Sequence, residues 1–132
     1  MKNVFINALN AKDGGGLSYL TNFITLLEKY ETKDKYFVLV PPSRNFDNYN
    51  NNNISVINVH PFFASPIILP ITYIFLIPFL IFFKKCKVVF NLSDLPILTR
   101  KKQVMLFDWP YGLYPKTIAW DLMNKRDLIK RR

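Results

Sequence analysis

The chain has 132 residues, half of them hydrophobic and a fifth charged, a balance that suits one packed domain and excludes a disordered or fibrous chain. Its single cysteine, Cys86, excludes an internal disulfide, and with one histidine, His60, no metal-ligand cluster can be assembled, so both residues read as structural. The net charge of +9 suits nucleic acid or an anionic membrane. However, the basic residues form separate groups, at Lys84, Lys85 and Lys87, at Arg100, Lys101 and Lys102, and from Lys125 to Arg132, with no nucleic-acid-binding motif beside them. No nucleic-acid partner is expected.

In chain order, Val4 to Leu9 reads as a first strand, without the apolar stretch and cleavage site of a secretory signal, and this points to a cytoplasmic location. Leu17, Leu20, Ile24 and Leu27 then recur at helical spacing, with Phe23 and Tyr30 widening the stripe. Tyr36 to Val40 is a continuous apolar run stopped by Pro41 and Pro42, as in a strand covered on both faces. Asn45 to Asn53 (NFDNYNNNN) is low in complexity and predicts a surface loop that buries no apolar area. Ile54 to Val59, Lys87 to Asn91 and Gln103 to Phe107 complete five strand signals. Alternation with helical patterns predicts an α/β fold, a Rossmann-like, doubly wound and mainly parallel sheet in a single domain. At the end of the chain, Ile118, Leu122 and Ile129 outline an amphipathic helix.

Pro66 to Phe83 (PIILPITYIFLIPFLIFF) carries no charge over 18 residues. A helix of that length would span roughly 27 Å, close to the ~30 Å of a hydrocarbon core. With Pro70 placed in the first turn, only about 21 Å remains, and Pro78 interrupts the hydrogen-bond ladder. Position between two strands predicts a crossover helix, and the flanking Lys84, Lys85 and Lys87 suit an anionic leaflet against which the helix would lie without crossing. A spanning helix is the competing arrangement.

Three of the four glycines, Gly14, Gly15 and Gly16, follow the first strand and open the first helix, a junction where unpaired backbone N–H groups and the helix dipole favour an anion. Leu17 and Ser18 stand where a Walker loop needs Lys and Ser or Thr, and the dinucleotide fingerprint lacks its last glycine. A turn without any ligand is the alternative.

"INALNAKDGGGLSYLTNF", from Ile6 to Phe23, and "VVFNLSDLPILTRKKQVMLFDWPYGLYP", from Val88 to Pro115, together resemble the N-terminal, acceptor-side domain of family 4 glycosyltransferases, retaining enzymes of the GT-B fold. The resemblance implies transfer of a sugar from a nucleotide-sugar donor to a glycan or lipid-linked acceptor in surface polysaccharide synthesis, with no separate cofactor and no metal. It places Gly14, Gly15 and Gly16 in the loop facing the donor phosphates and the acceptor. Asn91, Ser93 and Tyr111 would line the cleft. Asp108 stands where relatives often carry a histidine; it could accept a hydrogen bond from a sugar hydroxyl in a catalytic role, or simply cap a strand end. The family's second, nucleotide-sugar domain does not fit in this length, so efficient turnover would need that C-terminal domain as partner. The rival expectation is a noncatalytic small membrane-associated protein anchored by residues 66–83.

Overall fold

The computed structural model of the protein describes residues 1–30, 32–93 and 95–106. The apolar runs form five strands, β1 (Asn3–Asn7), β2 (Lys35–Leu39), β3 (Ile54–Ile57), β4 (Val88–Asn91) and β5 (Lys102–Met105). All pair in parallel, in the order β3-β2-β1-β4-β5. Strands end short of the runs that announce them because the runs continue, buried, into the loops: Ala8, Leu9 and Val40 are fully buried beyond the strand ends.

The two faces of β1 are covered by different helices, since successive side chains point to opposite sides. Ile6 and Ala8 pack with Val38 and Val40 against Leu20 and Ile24 of helix α1 (Gly14–Lys29). Phe5 and Leu9 pack with Leu39 and Val89 against Tyr73, Ile77 and Ile81 of the crossover between β3 and β4. The result is a three-layer, doubly wound, Rossmann-like α/β sheet. The three glycines open α1, as their place after β1 predicts: Gly14 takes a positive φ of 59° and turns the chain into the helix at once. One sequence expectation for α1 is corrected. Tyr30 lies past the helix end and is exposed instead of widening the buried stripe.

The crossover helix runs from Leu69 to Phe83 in three pieces: α2 (Leu69–Ile71), a π-helical turn (Thr72–Leu76) and α3 (Ile77–Phe83). Pro70 sits in the first turn, as its spacing predicts. Pro78 is accommodated by the wide turn, in which the Ile77 amide donates to the Thr72 carbonyl five residues back, so the prolyl ring meets no four-residue ladder. Among the described residues no helix is long and apolar enough to cross a membrane.

The crossover helix ends in a left-handed residue. Lys85 has φ 52°, its amide donates to Phe82 at 2.9 Å, and that of Cys86 donates to Ile81 at 3.0 Å. This is the paired bonding usually completed by glycine. Lys85→Gly is therefore expected to raise stability by about 0.5–1 kcal/mol, read as a higher urea midpoint at unchanged slope.

The asparagine-rich segment differs from its expectation. Phe46 is buried in the core with Val38 and Val40 and packs at 6.0 Å, tilted by 36°, on Tyr49, which belongs to a 3₁₀ turn (Asp47–Tyr49). The asparagines order the backbone: Asn51 accepts from the amides of Asn53 and Ile54, and Asn50 accepts from Val56. Short amides that bond nearby backbone groups give this composition a defined path that hydropathy does not register. His60 is structural as expected, its Nδ1 accepting from the Phe62 amide at 3.2 Å to cap the turn Pro61–Ala64.

Candidate functional site

In a sheet of this order the direction of winding reverses between β1 and β4, and ligands of open α/β sheets bind at the carboxyl ends of such a strand pair. Here both strands end in asparagine. Asn7 and Asn91 are register partners. Two-residue alternation puts Asn7 on the face of Phe5 and Asn91 on that of Val89, toward the crossover helix. Both side chains are fully buried.

Their groups are paired with one another and with the π turn. Asn7 Nδ2 donates to Asn91 Oδ1 at 2.7 Å and to the Tyr73 hydroxyl at 3.0 Å, and Asn7 Oδ1 accepts from the Leu9 amide at 3.3 Å. Asn91 Nδ2 donates to the Leu95 carbonyl at 2.5 Å. Asn10 Nδ2 reaches the Tyr73 oxygen at 3.3 Å, and Ser93 Oγ accepts from the Leu95 amide at 3.2 Å. Both amide hydrogens of Asn7 are used, so these residues form a satisfied polar floor beneath the crevice. It can hold the mouth rigid but supplies neither a base nor a nucleophile.

Burial pushes the Tyr73 hydroxyl above its ordinary value, against the opposing hydrogen bonds from Ser93 and Asn7. Burial likewise raises the Cys86 thiol to about 11, against the pull of the Lys84 ammonium. Both groups are held neutral by the fold more firmly than in the unfolded chain. The stability they contribute is complete below the unfolded values and lost as pH rises through the folded ones. For Cys86 that window runs from 9.0 to about 11. The urea midpoint is expected to fall across this window, and Cys86→Ser should remove the thiol's share of the fall.

Above the floor, the loop from β1 rises to the exposed start of α1. Asp13 makes no side-chain capping bond there, and Gly14 and Gly15 are exposed. Only Gly14 needs glycine for its backbone. A Cβ on Gly15 would meet nothing within 4 Å, and one on Gly16 would only touch Ala11 at 3.5 Å. Two cations flank the turn. Lys12 Nζ donates to the Ala64 carbonyl at 3.2 Å, and the Arg44 guanidinium stands 3.9 Å from the Asp13 carboxylate, both of these side chains largely exposed. Arg44 also borders a hollow of about 280 Å³ with Ser43, Asn45, Asp47 and Asn58.

The structure thus brings Gly14, Gly15, Gly16, Asn91 and Ser93 to one edge of the sheet. Asn91 and Ser93 lie buried in its floor rather than open at its surface. Asp108, Tyr111 and the amphipathic pattern at Ile118, Leu122 and Ile129 lie outside the described residues. Sequence reasoning missed Asn7, Tyr73 and Arg44. A usable signal for Asn7 is that the runs VFIN and VVFN both break on asparagine. Compared with known proteins, the chain matches no protein-family model, no curated protein and no solved structure.

Proposed function

We propose that this chain is the N-terminal, acceptor-side domain of a GT-B glycosyltransferase, which moves a sugar from a nucleotide-sugar donor to a glycan or lipid-linked acceptor. The observation that carries the reading is Gly15. The surroundings leave open space for a side chain there, so internal packing gives no reason for glycine, whereas a ligand approaching the backbone does. Three successive N–H groups at the start of α1, with Lys12 and the Asp13-paired Arg44 beside them, form a hydrogen-bond-donating mouth suited to phosphate.

During transfer the bond from the anomeric carbon to the diphosphate oxygen breaks, and one to an acceptor hydroxyl oxygen forms as that hydroxyl loses its proton. Negative charge develops on the leaving diphosphate, and pre-positioned amides stabilise it without reorganising. The second nucleotide-binding domain that the GT-B reading requires would supply most of the donor contacts. In the same reading, Asp108 accepts a hydrogen bond from a sugar hydroxyl and Tyr111 borders the cleft.

The test follows the backbone amide resonances of the full chain during titration with UDP-glucose, GDP-mannose and inorganic pyrophosphate. Saturable shifts at Gly14, Gly15 and Gly16 with a nucleotide sugar support the reading. Unmoved glycine resonances at millimolar ligand would remove the turn from the site and the proposal with it.

A further inference from the structure

A helix covering a soluble sheet normally turns a charged stripe to water. The crossover helix does not. Tyr73, Ile77 and Ile81 face the sheet, and the opposite side presents Ile71, Phe75, Phe79, Phe82 and Phe83, with Phe79 and Phe82 60% and 80% exposed. Phe79 and Phe83 stack at 6.0 Å, extending the apolar surface along the helix. At its start, Phe62, Phe63, Ile68, Ile71, Phe75 and Phe79 line an apolar groove of about 580 Å³. Thr72 also borders this groove, but its hydroxyl donates to the Phe63 carbonyl at 2.7 Å. The stripe therefore offers no unsatisfied side-chain group with which to orient a protein partner.

Charge is gathered at one end. Phe82 shares a hollow of about 280 Å³ with Lys85, Lys87 and Lys101, lined by no carboxylate, and Lys84 Nζ lies 5.8 Å from the centre of the Phe83 ring. These lysines stand at the amino edge of the sheet: the Lys87 amide donates to the Asn3 carbonyl, and Lys102 begins β5. Lys85 holds a left-handed backbone at which glycine would be less strained, so the side chain there is not explained by the fold.

We infer that this aromatic stripe and its lysine end form a docking surface for an anionic lipid leaflet. The helix lies in the interfacial plane, the phenylalanines are immersed, and the ammonium groups of Lys85, Lys87 and Lys101 sit among lipid phosphates. The surface is separate from the glycine turn, and the inference stands whether or not the chain transfers a sugar.

The full chain is mixed with vesicles of phosphatidylcholine alone, or containing about 30% phosphatidylglycerol, and partition is read by co-sedimentation. Binding is expected only to the anionic vesicles and should weaken as salt rises. Replacing Lys85, Lys87 and Lys101 together by Glu should weaken it by at least roughly a hundredfold, each lysine near a leaflet being worth about fivefold. Phe79→Asp with Phe82→Asp should weaken it by more than about tenfold. Because these positions are exposed, far-ultraviolet circular dichroism should show the fold retained. Lys85→Gly provides a second check, since it should bind vesicles about fivefold less while being the more stable protein. Equal binding to neutral vesicles, indifference to these substitutions, or a concentration-dependent dimer abolished by Phe79→Asp in a chain that ignores vesicles would each overturn the inference.

Discussion

Asn7→Ala is expected to remove about 3–4 kcal/mol of folding stability, a large share of the roughly 5–15 kcal/mol of an ordinary domain. The truncated amide would leave the buried Asn91 Oδ1 and the Leu9 amide without the partners they now have at 2.7 and 3.3 Å, and would take one of two amide donors from the Tyr73 oxygen. Each buried polar group left unpaired costs about 1–3 kcal/mol. Tyr73→Phe deletes one hydroxyl and takes the acceptor from one hydrogen of the buried Asn7 and one of the half-buried Asn10, so a loss of about 1–2 kcal/mol is expected. Because the residues share bonds, the double variant should lose less than the sum. Urea unfolding of the three variants measures this directly. A loss below about 1 kcal/mol for Asn7→Ala would mean that water replaces the amide and the floor is open to solvent.

Gly15→Asp should separate folding from binding. In the chain alone the new Cβ meets no atom within 4 Å, and the side chain stands in the first turn of α1 and places a negative charge at the positive end of the helix. Stability is expected to hold or to rise by about 0.5 kcal/mol. For a nucleotide sugar at the glycine turn, the same carboxylate repels the diphosphate and fills the space that it needs. Affinity should fall more than tenfold, or above about 1.4 kcal/mol, in the titration that follows the neighbouring amides. If the chain belongs to a glycosyltransferase as proposed, the loss in the two-domain protein should appear in donor use, as a lowered kcat/KM for the nucleotide sugar. A stable variant with undiminished affinity would detach the turn from phosphate recognition.

The strands are legible in the sequence because a parallel strand buried on both faces needs an unbroken apolar run, and β1 and β2 have one. Their exact ends are not legible, because Leu9 and Val40 belong to the core without belonging to the ladder. α1 is legible by its buried face from Leu17 onward and by the glycines that open it, while the left-handed backbone with which Gly14 alone enters the helix is not, since the three glycines look alike in sequence. Tyr73 is hidden for another reason. Within an uncharged stretch of 18 residues every position looks apolar, and only the phase set by the π turn distinguishes the residue that meets Asn7 from its neighbours. The asparagine-rich segment shows the reverse error: hydropathy sees only polarity, while Phe46 and the side-chain amides give it an anchor and a path.

The central position of β1 has a consequence for how the molecule assembles. The earliest in sequence of these five strands is the one flanked on both sides in the finished sheet, and its bond from Asn7 to Asn91 closes a separation of 84 residues. One edge of β1 can pair with β2 early, but the other must wait for β4 to be synthesised. During that interval an unpaired apolar edge is available to other nascent chains, so maturation of this protein is expected to be slow and sensitive to chaperone supply.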